Sequence, residues 1–317
     1  MSSAARSTVL VAGSANLDFV VRAAHVPAPG ETVLGHGFST FPGGKGANQA
    51  VACARAGGAT TRMLLALGED DFAMPIEASL RDAGVDLSIV RDPALPTGTA
   101  FICLADSAEN AITVAPGANL ALGEEHLPAL DGVDWLLLQL ETPLPTVTAY
   151  ARRARLAGLK VALNAAPAQA LPDALLALLD VLIVNEGELD VVAGHPPDLA
   201  TGVARVPVPC VIVTLGARGC LARVNDTVLL QPGFRIDPID TTAAGDTFCG
   251  ALVAALADHE PMADALLAAT AASALACTRL GAQSSIPNRA EVLALLADPA
   301  RVPDADAHAA LAAACAR

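Results

Sequence analysis

Aromatic side chains are scarce in this 317-residue chain, at 3% of the total with a single Trp and a single Tyr. The core must therefore be built mainly from Ala, Leu and Val, and a stacking platform for single-stranded nucleic acid is not expected. Positive charge is scarce as well: 19 Lys and Arg face 33 Asp and Glu, a net charge of −14. Such a field repels phosphate backbones, and no Lys/Arg cluster reverses it locally, so nucleic acid is not the expected partner. A small anionic ligand stays possible where backbone dipoles and a metal hold it. Paired cysteines are missing too. The seven cysteines (53, 103, 210, 220, 249, 277 and 315) are scattered, mostly inside apolar runs and without a CxxC. That usage reads as reduced core thiols in a cytoplasmic protein.

Long apolar runs are absent. Charges such as Asp180 and Asp264 interrupt them, so no membrane span or membrane partner is expected. The apolar run after Arg6 soon meets Asn16 and Asp18, as a first strand and its loop would, unlike a signal peptide. Two nucleotide signatures are also lacking. The first strand is followed by AGSANLD rather than GxGxxG, and Gly44-Lys45 is followed by Gly46 rather than Ser or Thr. A dinucleotide dehydrogenase and a Walker-type ATPase both lose support.

What is present is a chain of 53% hydrophobic and 16% charged residues, which excludes general disorder. At this size a domain buries about 75% of its unfolded surface and needs no disulfide or structural metal. Strands are expected at Thr8–Ala12, Met63–Leu67, Trp135–Leu138, Lys160–Leu163, Val181–Val184 and Cys210–Val213. Continuous apolar strands spaced by helical patterns predict parallel βαβ units covered on both faces. Four of these runs finish on Gln139, Asn164, Asn185 or Thr214. Ligands of such sheets bind beyond the carboxyl ends of the strands, although each polar residue alone could merely start a turn.

The segments 31–42 and 97–115 are different: they alternate, are rich in Thr and Gly, and lack helical periodicity. They read as a small antiparallel sheet inserted as a lid into one α/β domain spanning 1–298. Residues 299–317 read as an Ala-rich, loosely attached tail. The stretch between Glu188 and Cys210 is short and Pro-rich, which predicts a truncated crossover helix.

Four motifs carry chemistry. In Pro42–Gln49 (PGGKGANQ) a glycine-rich entry leads to apolar residues at 47, 50, 51 and 54, with Gly57 as a stop. Such a turn exposes backbone N–H groups and puts Lys45 and Asn48 one turn apart, although a GGKG turn can be only a tight loop. In Asp240–Phe248 (DTTAAGDTF) the small residues Ala243, Ala244 and Gly245 open a helix that runs to about Leu256. Their N–H groups and the helix dipole favour a phosphoryl group developing negative charge. Asp246 beside them is placed either to cap the helix or to take the proton of a substrate hydroxyl. The run Thr214, Leu215, Gly216, Ala217, Arg218, Gly219 is either a hairpin turn or a nucleotide contact. Asn185 with Glu188 could order the waters of a magnesium ion, or Glu188 could be a helix-start charge.

Taken in order, GSANLD, PGETVLG, PGGKGANQAVACARAG, LQLETP, VNEGE, VTLGARG, DTTAAGDTFCGAL and TRLGAQSSIP resemble the ribokinase-like (PfkB) sugar kinases over about residues 8–298. The resemblance implies a three-layer α/β/α sandwich with a mostly parallel central sheet and a small β-sheet lid. Within the family the set looks most like the members that phosphorylate D-ribose at its 5-hydroxyl with ATP. Kinases for a nucleoside, 2-deoxyribose or a ketohexose are the alternative, and a non-catalytic sugar-binding regulator is a more distant one.

Carried over by position, Asn16, Leu17 and Asp18 would meet the sugar. Gly44, Lys45, Gly46, Ala47 and Asn48 would close its pocket, with Glu141 reaching another hydroxyl. Asp246 would be the base and Ala243–Gly245 the anion hole. Asn185, Thr214–Gly219, Gly245, Asp246 and Thr270 would line the ATP site, and Glu188 would support Mg2+ through water. Asp240, Thr242, Ala276, Arg279, Gly281 and Ser285 match positions that bind K+, several through carbonyls. The lid would also form a homodimer contact. Two positions depart from the family, which often has Asn where this chain has Thr270 and Cys249.

Overall fold

The computed structural model of the chain describes residues 7–107 and 110–315. Residues 1–6 of the expected domain, 108–109 of the expected lid segment and 316–317 of the expected tail lie outside the described residues. The chain opens with β1 (Thr8–Ala12), β2 (Asn16–Ala23) and β3 (Gly37–Gly43), then enters α1 (Lys45–Ala52). It continues through β4 (Thr60–Gly68), α2 (Ala73–Asp82), β5 (Asp86–Asp92), β6 (Gly98–Ala105) and β7 (Asn110–Ala115). Next come β8 (Trp135–Leu138), α3 (Leu144–Leu156), β9 (Lys160–Asn164), α4 (Asp173–Leu176) and β10 (Val181–Asn185). After α5 (Glu186–Val192) and α6 (Leu199–Arg205) come β11 (Cys210–Thr214), β12 (Gly219–Val224) and β13 (Thr227–Pro232). The helices α7 (Ala244–Ala257), α8 (Met262–Ala276), α9 (Arg289–Leu296) and α10 (Ala305–Cys315) complete the described chain.

Nine strands form one sheet in the order β13-β12-β11-β10-β9-β8-β1-β4-β5. It is parallel from β5 to β11 and antiparallel only at the β11–β12–β13 edge. Both faces are covered, which is why its strands read as unbroken apolar runs. Along β1 the side chains alternate between two cores: Val9 and Val11 lie in one with α7 and α8, and Leu10 and Ala12 in the other with α3. Helices therefore sit on both sides of the sheet, as the parallel βαβ pattern requires.

Four strands form a second sheet in the order β3-β2-β6-β7. β2 belongs to this small sheet, so Asn16 and Asp18 are not in a loop after the first strand. They start a lid strand that pairs antiparallel with β3 and parallel with β6, so the lid is a mixed sheet rather than the antiparallel one expected. The segment between β10 and β11 holds two helices, α5 and α6, of seven residues each. Its prolines break the path rather than shorten a single helix. Within the Ala-rich tail, α10 packs on β13 and seats Leu311 in the core on the sheet face that α3 also covers. No helix among the described residues is long and apolar enough to cross a membrane.

Candidate active site

The carboxyl ends of β9, β10 and β11 open into a cleft of about 240 Å³. Asn164, Asn185 and Thr214, the last residues of those strands, all line it. Its other wall is the entry to α7, where Ala243, Ala244 and Gly245 face the cleft beside Asp246. Ala243 holds a left-handed backbone at φ 58° and caps the helix without a side-chain bond. A non-glycine residue there is strained, which fits a turn shaped for a ligand. Nothing lies within 4 Å of a Cβ built on Gly245, so the helix end is open.

Asp246 does not cap α7. It sits in the first turn and is buried, with its carboxylate turned toward α1. Asn48 Nδ2 donates to its Oδ2 at 2.9 Å and Gln49 Nε2 to its Oδ1 at 2.9 Å. Behind it, Gln49 Nε2 also donates to Asn164 Oδ1 at 3.0 Å, and Gln139 Nε2 donates to Gln49 Oε1 at 2.6 Å. Of the four polar strand ends, Gln139 is thus the one that supports the site from beneath. Asn48 Oδ1 is buried and has no hydrogen-bond partner. A buried carbonyl left so is costly, and a donor supplied by a ligand relieves it.

The GGKG entry is a close-packed corner. Gly44 turns at φ 88°, and a Cβ on Gly46 would lie 2.6 Å from the Ser14 amide nitrogen. Ser14 Oγ donates to Glu141 Oε2 at 2.6 Å, and the Lys45 N–H donates to the same oxygen at 3.1 Å. Glu141 therefore caps the entry of α1 while its charge faces Lys45. Asn16 is oriented by Asn119, whose Nδ2 donates to Asn16 Oδ1 at 2.8 Å. Leu17 and Ala47 turn their side chains into the apolar core.

Charge is concentrated here. Burial, helped by Glu141 and Asp246 and opposed by Lys45, pushes the Asp18 carboxyl up to about 7. Burial works against the Lys45 ammonium, but Asp246, Glu141 and Glu188 outweigh it and raise its pKa. Burial also raises Glu188, against the Asn185 N–H and Lys45, which favour its ionised form. The Cys249 thiol, buried beside Asp246, is pushed well up and is inert as a nucleophile.

At the β10 end of the cleft, Asn185 and Glu188 form a reciprocal capping box, each backbone N–H bonded to the other's side chain at 2.8 Å. The helix-start role of Glu188 is thus real, and both residues line the cleft as well. Thr214 lines it too. Gly216–Arg218 form a helical turn leading into the β12–β13 hairpin, with Arg218 paired to Glu186. Thr270 is not brought to the cleft: its hydroxyl donates to the Leu266 carbonyl at 2.7 Å, and it packs beside Cys220.

Asp240 ties the loop before α7 to the loop after α8. Its Oδ1 accepts from the Thr242 N–H and hydroxyl, at 2.9 and 2.6 Å, and its Oδ2 from the Gly281 N–H at 2.9 Å. The Arg279 guanidinium pairs with Glu291, and Ser285 Oγ donates to the Ala282 carbonyl. The side chains missed in the sequence are Ser14, Gln49 and Asn119. Gln49 lay in the quoted PGGKGANQ run without a role.

Residues 6–289 match the pfkB family carbohydrate kinases. The chain is 39% identical over 303 residues to a ribokinase of Haemophilus influenzae, covering 92% of this chain and 99% of that one. The fold superposes on a ribokinase of Thermotoga maritima with a TM-score of 0.86 at 36% identity, covering 92% of this chain and all (100%) of the other. It also matches an Arabidopsis thaliana ribokinase solved with ribose and ATP, with a TM-score of 0.84 at 32% identity over 93% of this chain and 100% of that one. With that match and that site geometry, the chain belongs to the pfkB family of carbohydrate kinases.

Proposed function

We infer that the chain is an ATP-dependent kinase that phosphorylates D-ribose at its 5-hydroxyl, giving D-ribose 5-phosphate and ADP. The observation that carries this reading is the Asp246 carboxylate, held by Asn48 and Gln49, beside the open helix end at Ala243–Gly245. The similarity to ribokinases, one of them solved with ribose and ATP, supports ribose as the sugar.

In this mechanism Asn16, Asp18, Asn48 and Glu141 bind the sugar and aim its hydroxyl at Asp246. Asp246 takes the hydroxyl proton as the sugar oxygen forms its bond to the γ-phosphorus. The bond from that phosphorus to the β,γ-bridging oxygen breaks, and ADP leaves with the electron pair. The N–H groups of Ala243–Gly245 and the α7 dipole face the charge that develops on the transferred phosphoryl group. Lys45 adds a fixed positive charge from α1. Positioning and electrostatics carry most of the catalysis in such a loose transition state.

Among the described residues no group of three His, Cys, Asp or Glu side chains is arranged to hold a metal ion. That donor set suits Mg2+ arriving with the phosphates, with Glu188 reaching its waters. When bound, the ion neutralises phosphate charge. The Asp240 corner, matched by resemblance to K+-binding positions, holds one carboxylate that joins the loops at Thr242 and Gly281. We place the reaction in the cytoplasm, where the seven free thiols stay reduced.

A nucleoside substrate is the second reading, and the lid counts against it. Asp18 shares its face with Phe41 and Ala100, whereas Phe38 and Phe101 stand on the opposite face, stacked on Phe19 at 6.2 and 5.4 Å. Little aromatic room is left for a base. The test is ADP release from Mg–ATP with D-ribose, 2-deoxyribose, a ketohexose and nucleosides, in K+ and in a large inert cation. A K+-dependent signal with ribose is expected. Activity only on another acceptor moves the substrate, equal rates in both cations remove the K+ site, and silence with sugar binding intact favours a regulator.

A further inference from the structure

Gln49 is fully buried on α1, one residue beyond Asn48, and does not line the cleft. Its side chain is nevertheless bonded at both ends to the site. Nε2 donates to Asp246 Oδ1 and to Asn164 Oδ1, and Oε1 accepts from Gln139 Nε2. Asn164 in turn donates its Nδ2 to the Ile183 carbonyl at 3.3 Å. The chemistry fixes every amide orientation: a carboxylate only accepts, so the Gln49 NH2 must face Asp246, and its carbonyl must then face Gln139. Gln139 is locked as well. A Cβ on residue 13 would lie 1.9 Å from Gln139 Oε1, so the position is open to this side chain only because it is Gly13.

Resting on the proposed reaction, we propose that Gln49, oriented by Gln139, is a positioning residue. It fixes the orientation of the Asp246 carboxylate by donating to Oδ1. The buried chain of amides strengthens that bond in a site screened from water. Asn48 holds the other oxygen, so the two donors from one turn of α1 leave the remaining lone pairs aimed at the sugar hydroxyl. Asn48 touches ligand; Gln49 acts only through Asp246.

The test compares wild type with Gln49→Met, which keeps length and volume but has no donor, and with Gln139→Met, which leaves Gln49 without its orienting partner. kcat and KM for ribose and Mg–ATP are measured for each. Gln49→Met is expected to lower kcat by about 10–100-fold, the usual effect of removing an orienting partner behind a functional group. KM stays within about threefold, since an interaction that serves only the reacting carboxylate lowers kcat without weakening ground-state binding. Gln139→Met is expected to lower kcat by less, again with KM nearly unchanged.

A wild-type kcat in a folded Gln49→Met variant, or a fall in kcat matched by a rise in KM, overturns the proposal. If Gln49→Met does not fold, Gln139→Met decides by the same two readouts. If wild type is inactive on ribose, the substrate reading fails separately, and the comparison is made on whichever sugar the wild type phosphorylates.

Discussion

Asp18 lies with its carboxyl packed so tightly on the lid turn that a Cβ on Gly43 would be 2.1 Å from Oδ2. Burial and the Glu141 and Asp246 carboxylates make its charge unfavourable in the free protein. The folded state therefore binds this proton more tightly than the unfolded chain does, and between the unfolded value near 3.8 and the folded value of about 7 stability falls as pH rises. Asp18→Asn removes the charge, so the variant is expected to melt well above wild type at pH 8, by less at pH 5 and level with it at pH 3, while its KM for sugar rises. A melting difference that persists unchanged at pH 5 would falsify the electrostatic origin. At the base itself, Asp246→Asn keeps the size and one acceptor. It is expected to lower kcat by about 10²–10⁴-fold with little change in melting temperature. Steady-state rates near those of wild type would remove Asp246 from the role of base.

At the scale of elements, the site depends on how closely α1 and α7 approach. Gly250 lies one turn beyond Asp246 on α7, and a Cβ there would be 2.4 Å from the Gln49 carbonyl and 2.8 Å from the Cys53 amide nitrogen. Cys53 Sγ adds a bond to the Gly250 carbonyl at 3.3 Å. Without that contact distance, Asn48 and Gln49 could not both reach the Asp246 carboxylate. Gly250→Ala is therefore expected to destabilise by about 1–3 kcal/mol through overpacking, read in urea unfolding, and to lower kcat as well. A stable variant with full activity would show that the helices give way without disturbing the site. Much of this arrangement was legible: PGGKGANQ predicted a helix after its glycines, and AAGDTF one after its alanines. The contact between them was not, because 198 residues separate Asn48 from Asp246 and only the sheet order brings their helices together.

For the whole molecule, the lid is the part with apolar surface to spare. Phe38 is 64% exposed and Phe101 54% on one face, and Ile112 is 55% exposed on the other. Exposed apolar side chains on both faces of a four-stranded sheet suit an interface with a second copy. Sedimentation is expected to find a dimer, and Phe38→Asp or Ile112→Asp to convert it to monomer according to which face is buried. A monomeric wild type, or a dimer that survives both substitutions, removes the lid from that role. Because the lid carries Asp18 and Asn16, the monomeric variant is also expected to bind sugar more weakly.

The amino-acid sequence by itself determined the parallel sheet, since runs such as Val181–Val184 are apolar on every residue and can be buried only between two helical layers. It also marked the cleft, through polar residues at the ends of β9, β10 and β11, and the helix entry at Ala243–Gly245. These are local patterns, set by period and by the conformational preferences of neighbouring residues. Only the tertiary structure decided that β2 joins the lid and that Asp246 faces α1 rather than capping its own helix. The same holds for Gln139, which supports the Asp246 carboxylate through Gln49. Each of those outcomes is a contact between residues far apart in the chain, up to 198 positions for Asn48 and Asp246, and a local alternative was equally available in the sequence. Packing against the other layers of the fold selected between them.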